Sequence, residues 1–143
     1  MQTCRVHEQP KALFIFGGPD LEIEPDTRSA AGYMEPWGIK GGDFDAVFDE
    51  TGRRYRFWVR ESAPEDLEST ELEPTEEVDL EELRQRLRDL ARVPGYATLD
   101  GFDPEDPLGT AVALSTWKWE HRWPKRPRWL SRRIHGAGPS ITR

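Results

Sequence analysis

Two stretches of alternating apolar and polar residues flank a turn sequence between residues 42 and 60. Apolar side chains occupy every second position in both, namely Phe44, Ala46 and Phe48, then Tyr55, Phe57 and Val59. This period of two is typical of β-strands. Between them, Gly52 accepts a positive φ and Asp49 can hydrogen-bond the backbone ahead of it, so the chain can reverse. The pattern predicts a β-hairpin over 44–59, which needs a helix or further strands on its apolar face.

The clearest helix signal lies at residues 80–91. Four leucines fall on one face of a helix with 3.6 residues per turn: Leu80, Leu83, Leu87 and Leu90. Asp79 and Glu82 stand three residues apart, an Asp-headed variant of the capping box, and Pro94-Gly95 ends the segment. If fully buried, the leucines contribute about 6–12 kcal/mol of transfer free energy as an upper bound. We expect this helix to cover the hairpin.

Further elements follow from shorter patterns. The apolar run 12–16 predicts a buried first strand, which a turn at residues 17–19 ends. A short helix is expected at 28–34, capped by Asp26 or Thr27 and ended by Pro36. Alternation over 110–119 predicts another strand.

Three side chains after the first strand are expected to pack on the apolar face of the hairpin: Tyr33, Met34 and Trp37. By contrast, residues 62–77 are rich in Glu, Asp, Pro, Ser and Thr, so we predict an acidic loop there. The fold class expected from all these elements is α+β, a small antiparallel sheet built around the central hairpin with one main amphipathic helix packed on it. The single domain spans 1–119 with its acidic loop at 61–77, and a basic Trp/Pro/Arg-rich extension spans 120–143.

Composition narrows the class of protein. A chain of 143 residues can bury a core without disulfides or metals, and its only cysteine, Cys4, excludes an internal disulfide. No apolar run has the length of a membrane span or a signal peptide. We therefore expect a soluble protein of the cytoplasm that does not enter a membrane.

Charge is unevenly distributed along the chain. Residues 61–106 hold 16 acidic residues against four arginines, whereas 117–143 hold eight Lys and Arg against one Glu. The chain is thus acidic in the middle and basic at its end.

Residues that could carry catalysis are scattered. His7, His121 and His135 lie in three separate contexts without the spacing of a zinc site, and Cys4 has no positioned base beside it. Phosphate-binding loops, dinucleotide fingerprints and serine-nucleophile motifs are missing from the sequence. We expect a protein that is not an enzyme, with no cofactor and no metal.

An aspartate cluster in the first hairpin strand has two interpretations. Asp43, Asp45 and Asp49 fall on one side of a strand, where carboxylates can hold Mg²⁺ or Ca²⁺. The alternative, which we favour, is a solvated strand face with Arg54 and Arg56 as cross-strand partners.

The acidic middle is the first candidate binding site. It carries the side chains of Glu68, Glu71, Glu73, Glu76 and Glu77. Such a segment can attract a basic protein, because complementary potentials raise the association rate. It can equally serve only to keep the chain solvated.

The basic end is the alternative site, for nucleic acid. Aromatic and cationic side chains alternate there, a combination that allows both stacking and phosphate contacts: Trp119, Arg122, Trp123, Lys125, Arg126, Arg128 and Trp129. The other interpretation is that this end folds back on the acidic middle, because exposed tryptophans are unfavourable in a soluble monomer.

Residues 12–100 also resemble a family. A strand and a short helix precede Tyr-Met-Glu-Pro at 33–36, followed by Gly-Asp-Phe-Asp-Ala-Val-Phe-Asp at 42–49 and Gly-Arg-Arg-Tyr-Arg-Phe at 52–57. This order resembles small bacterial immunity-type proteins that accompany polymorphic toxins. The resemblance implies a non-enzymatic inhibitor that binds and occludes a toxin or effector protein, and it does not extend to the basic end.

Overall fold

Five strands and four helices make up the part of the chain that a computed structural model describes, residues 9–18, 20–62, 67–93, 95–96 and 98–121. The strands are β1 (Leu13–Gly17), β2 (Asp20–Glu24), β3 (Ala46–Asp49), β4 (Arg53–Ser62) and β5 (Leu67–Val78). The helices are α1 (Thr27–Tyr33), α2 (Pro36–Lys40), α3 (Leu80–Leu90) and α4 (Pro107–His121). All strand pairs are antiparallel, in the order β2-β1-β3-β4-β5. The predicted α+β class is confirmed.

The predicted hairpin is confirmed as β3 and β4, with β3 in the middle of the sheet. Gly52 adopts a φ of 89°, as the turn requires. The buried carboxylate of Asp49 accepts hydrogen bonds from the backbone N–H of Thr51 at 2.9 Å and of Arg53 at 3.2 Å. Asp49 therefore holds the turn from inside.

Helices α3 and α4 cover one face of the sheet, called here the α3 face. Phe14, Phe16 and Phe48 pack there against Leu83 and Leu87. The helix predicted at 80–91 is confirmed, and the Asp79 carboxylate accepts from the Glu82 N–H at 2.9 Å as its N-cap. Burial of the leucine stripe against three phenylalanine rings joins helix and sheet in one core.

The opposite face, called the α1 face, packs against α1. Leu13, Ile15 and Val47 form a second core there with Ala30 and Met34 of the α1 region. All four residues of β3 are consequently buried, since both faces of the sheet are covered. The expectation that the hairpin has a single apolar face is therefore corrected: its first strand is buried on both faces.

The elements around α1 were predicted in part. Asp26 caps α1 by accepting from the Ser29 N–H at 2.8 Å, as expected. Pro36 does not end the helical region but begins α2, because proline suits the first position of a helix. Met34 is buried as predicted, whereas Tyr33 and Trp37 are exposed. Strand β2 has no counterpart in the prediction.

The acidic loop predicted at 61–77 is wrong for the described residues. Glu61 and Ser62 end β4, and β5 begins at Leu67. Thr70 of β5 is buried and donates to the Met34 carbonyl at 2.5 Å. The segment is polar because an edge strand needs apolar residues only at the positions that touch the core. Residues 63–66 lie outside the described residues.

The strand predicted at 110–119 is also wrong, because these residues lie in α4. Asp106 precedes the helix and accepts from the Gly109 N–H at 3.1 Å, with Pro107 at the first helical position. Thr110 and Leu114 are buried four residues apart, the spacing of one helical face. The predicted boundary at 119/120 falls inside α4, and the rest of the extension, 122–143, is outside the described residues. In the described part of the chain, no helix is both long and apolar enough to cross a membrane.

Candidate protein-binding surface

Strand β5 lies at one edge of the sheet and pairs only with β4 within the described ranges. Its first seven residues, 67–73, pair with residues 56–62 of β4 without interruption, from Leu67 opposite Ser62 to Glu73 opposite Arg56. We call residues 67–73 the edge segment. Beyond Pro74 the register shifts, as at a β-bulge.

The backbone of every second residue in the edge segment faces away from β4. The Arg54 carbonyl accepts from the Thr75 hydroxyl at 2.8 Å, which places the Arg54 backbone on the β5 side. Because backbone groups alternate in direction along a strand, those of Arg56 and its partner Glu73 face each other. Pro74 has no N–H to donate and fits the outward position that follows. The outward backbone groups in the edge segment are therefore those of Glu68, Thr70 and Leu72.

The five glutamates of the predicted acidic site all lie on β5, but they do not form one free patch. Three are paired with cations of the chain itself: Glu68 with Lys40, Glu73 with Arg56 at 2.7 Å, and Glu77 with Arg54 at 3.5 Å. Glu71 accepts from the Ser69 hydroxyl at 3.3 Å, and Glu76 is exposed beyond Pro74. These contacts weaken the long-range field expected of the acidic segment.

The outer part of the α3 face carries mixed charges on β4 and β5. The Arg56 and Glu73 side chains are 62% and 50% exposed. Arg56 also lies over the ring of Trp58, 4.4 Å from its centroid. Glu71 stands opposite Trp58 on the neighbouring strand. The surface beside the edge segment is thus polar and ordered by pairing between the two strands.

The aspartate cluster does not assemble. Asp49 is buried in the hairpin turn, whereas the Asp45 carboxylate accepts from the Gly18 N–H at 2.9 Å. The predicted partners pair elsewhere, Arg54 with Glu82 and Glu77, and Arg56 with Glu73. No group of three or more His, Cys, Asp or Glu in the described residues could hold a metal ion. Both interpretations of the cluster as one strand face are corrected, because β3 begins only at Ala46.

A cavity of about 580 Å³ opens where β1 ends and the chain enters β3. Glycines shape it. A Cβ at position 17 would collide with the carbonyl oxygen of Asp43, so only glycine permits this close approach. Gly18 and Gly42 adopt φ angles of 58° and 78°, which favour glycine in the turns at its rim.

Three aromatic residues line this cavity: Tyr33, Trp37 and Phe44. Trp37 is 69% exposed and Tyr33 is 43% exposed. The Trp37 indole N–H donates to the Glu35 carboxylate at 2.7 Å, and Tyr33 meets Phe44 edge to face with 6.0 Å between ring centroids. These aromatic side chains are therefore held in place, although much of Trp37 and Tyr33 is in contact with solvent.

Four acidic residues also line the cavity: Asp20, Glu35, Asp43 and Asp45. No Lys or Arg is among the described residues that line the cavity. Burial raises the pKa of the Tyr33 hydroxyl, and the negative charges of Glu22, Asp20 and Glu24 raise it further. The cavity is consequently a region of negative potential. We call it the acidic aromatic cavity.

Sequence reasoning did not find this cavity. Its parts come from three separate segments, around residues 17–20, 33–38 and 42–45. In the sequence, the aromatic residues at 33 and 37 were interpreted as core packing and the paired glycines at 17–18 as a turn, so neither pattern indicated a cavity.

The alternative nucleic-acid site is described only at its first residue. Trp119 is half-buried on α4. The remaining six residues lie outside the described residues: Arg122, Trp123, Lys125, Arg126, Arg128 and Trp129.

Neither a known family model, nor a curated protein, nor a solved structure matches this chain.

Proposed function

We propose that this protein is a non-enzymatic protein-binding module of the cytoplasm, which takes an extended basic strand of a partner protein along the outer edge of β5. More specifically, we propose that the protein is an immunity-type inhibitor, which binds and occludes a toxin or effector protein. The resemblance over residues 12–100 supports this form.

The edge segment is the observation that carries the proposal. Seven residues at the sheet edge pair continuously with β4, and no other strand among the described residues pairs with the outward backbone groups of Glu68, Thr70 and Leu72. Strand addition uses such groups for affinity, while alternate side chains supply specificity. Pro74 and the register shift after it confine the addition to residues 67–73.

The charges of the edge segment favour a basic partner over a second copy of the chain. An edge-to-edge dimer would bring Glu68, Glu71 and Glu73 of both copies to the same junction, and like charges across a strand pair are unfavourable. A partner strand that places Lys or Arg opposite these glutamates would instead be attracted by them. Overall charge agrees, because the chain holds 27 Asp and Glu against 20 Lys and Arg, a net charge of −7.

Two variants at one position test strand addition. Glu68→Pro removes the outward N–H, and Glu68→Ala keeps it, while both lose the pair with Lys40. The full-length wild type and both variants are used to capture the products of the neighbouring genes, and affinities for any captured protein are measured by calorimetry. We expect Glu68→Pro to bind about ten-fold more weakly than Glu68→Ala, because one main-chain hydrogen bond is lost and the ring obstructs the added strand.

Amide hydrogen exchange locates the contact directly. The N–H groups of Thr70 and Leu72 should gain protection in the complex, because an added strand accepts hydrogen bonds from them. A captured partner that leaves both amides unchanged, and binds the two Glu68 variants equally well, contradicts strand addition at β5.

A further inference from the structure

We propose that the acidic aromatic cavity is a binding site for a guanidinium group, the side chain of an arginine in a protein partner. The inference rests on the proposed protein-binding function only for the source of the arginine. The chemistry of the cavity is independent of that function and can be tested with the protein alone.

The charge of the cavity selects a cation. Four carboxylates line it, those of Asp20, Glu35, Asp43 and Asp45. Two have partners already, since Glu35 accepts from Trp37 and Asp45 accepts from the Gly18 N–H. Neither Asp20 nor Asp43 forms an ion pair with a described Lys or Arg. An anionic ligand such as a phosphate would meet this negative potential at close range, which is unfavourable.

The aromatic residues of the cavity distinguish an organic cation from a metal ion. Cations bind over the faces of Trp and Tyr, and a planar guanidinium can also stack on them. Trp37 leaves much of its surface to solvent while Glu35 fixes its indole, so the ring is available without reorganisation. Carboxylates from Asp20 and Asp43 can then accept the N–H groups at the edge of the guanidinium plane.

The size of the cavity favours a side chain presented by a peptide. A volume of about 580 Å³ exceeds what a single hydrated ion needs and lies in the range of sites for organic ligands. Helix α2, which carries Trp37, also packs against β4 and β5. Lys40 at its end pairs with Glu68 of the edge segment. The cavity and the edge segment therefore border the same short helix.

The test titrates the full-length protein with three short peptides of the form acetyl-Gly-X-Gly-amide, in which X is arginine, lysine or citrulline. Citrulline has the shape of arginine without its charge. Binding is followed by NMR through the backbone amides of Gly18 and Gly42, and of Gly95 as a glycine outside the cavity. We expect the arginine peptide alone to shift Gly18 and Gly42 at low millimolar concentration, less so at high salt.

Three variants assign the contact. Asp20→Asn and Trp37→Ala should each lower the affinity for the arginine peptide by about two- to five-fold. The first removes one exposed charge pair and the second one cation–π contact. Asp100→Asn is the matched control, since it removes one exposed aspartate outside the cavity.

Equal shifts with the citrulline peptide, or unchanged affinity in both cavity variants, would overturn the proposal. Lysine binding as tight as arginine would overturn the choice of guanidinium. None of these results depends on Glu68 or on amide protection in β5, so the cavity and strand addition can fail separately.

Discussion

Arg54 and Glu82 join the sheet to the helix that covers it: Nη2 of Arg54 on β4 donates to Oε1 of Glu82 on α3 at 2.7 Å. The same guanidinium lies over the ring of Phe48, 4.7 Å from its centroid. Arg86 donates to the other oxygen of Glu82 at 3.2 Å. One carboxylate thus closes the rim of the core between two arginines.

The pKa of Glu82 makes this contact sensitive to acid. Burial alone would raise it, but the hydrogen bonds and charges of Arg54 and Arg86 outweigh burial and lower the pKa below its ordinary value of 4.5. A lowered pKa in the folded state contributes stability above the ordinary value, and this contribution is lost as the pH falls through the lowered one. Between pH 6 and pH 3, the free energy of unfolding measured with denaturant should fall more steeply for the wild type than for Glu82→Gln. At pH 7 the variant should be about 1 kcal/mol less stable. Parallel pH profiles would contradict this role of Glu82.

The leucine stripe of α3 should be essential for folding. Leu83 and Leu87 are fully buried against the phenylalanines of the sheet. Leu83→Asp or Leu87→Asp should unfold the protein, because either buries a charge without a partner. Leu87→Ala should cost about 2–5 kcal/mol in a thermal or denaturant melt. Gln85→Ala on the exposed side of the same helix is the control, with an expected change within about 0.5 kcal/mol. A melt of Leu87→Ala like that of the control would show that this packing is wrong.

Gly52 and Gly42 are a matched pair with positive φ angles of 89° and 78°. A Cβ at Gly52 would collide with the backbone of Leu80 at the start of α3, whereas one at Gly42 would meet no atom within 4 Å. Gly42→Ala should therefore cost only the backbone strain, about 1–2 kcal/mol. Gly52→Ala should cost about 1–3 kcal/mol more through overpacking. The comparison needs only the free energies of unfolding of the two variants, and equal values would contradict the close approach of turn and helix.

Tyr55 should make the fold sensitive to alkali. Burial, together with the charge of Asp49, raises the pKa of the Tyr55 hydroxyl from 10.0 to about 12. Because the pKa is raised in the folded state, the associated stability is present below pH 10 and is lost as the pH rises toward 12. Tyr55→Phe should lose less stability than the wild type between pH 10 and pH 12 when both are unfolded by urea. An identical loss in the two proteins would show that another group is responsible.

Charge reversal on β5 should lower the rate of association with a basic partner. Replacing all five glutamates by lysine would also break the ion pairs with Lys40, Arg56 and Arg54, so the single change Glu71→Lys is cleaner. We expect Glu71→Lys to slow association more than it speeds dissociation, with the difference decreasing at high salt. Glu120→Lys on α4 is the control for net charge. Surface plasmon resonance with the captured partner measures both rates, and a purely faster dissociation would argue against steering by β5.

Local patterns were sufficient for the hairpin and for α3. The turn at Asp49 and Gly52 and the stripe that includes Leu83 and Leu87 each depend on residues close together in the chain. Their periodicity, capping and turn residues agree with one another, which makes these elements predictable before any long-range contact is known.

Strand β5 and helix α4 depended on tertiary contacts. The edge segment is too polar to be recognised as a strand, and it is ordered by pairing with residues 56–62 and by the Thr70 contact to Met34. In α4 the small residues alternate as in a strand, but Asp106 and Pro107 begin a helix that buries Leu114 in the core. Strand and helix patterns are ambiguous over short apolar segments, and packing decides between them.

The acidic aromatic cavity was decided by tertiary structure alone. The sequence by itself determined only that acidic, glycine and aromatic residues are present in the segments 17–20, 33–38 and 42–45. Only the pairing of β1 with β3 and the packing of α1 on the sheet bring Asp20, Tyr33 and Asp43 around one space. Local patterns report which face of an element is apolar, whereas a cavity depends on which distant segments meet. That is set by how the strands pair and how the helices pack on the sheet.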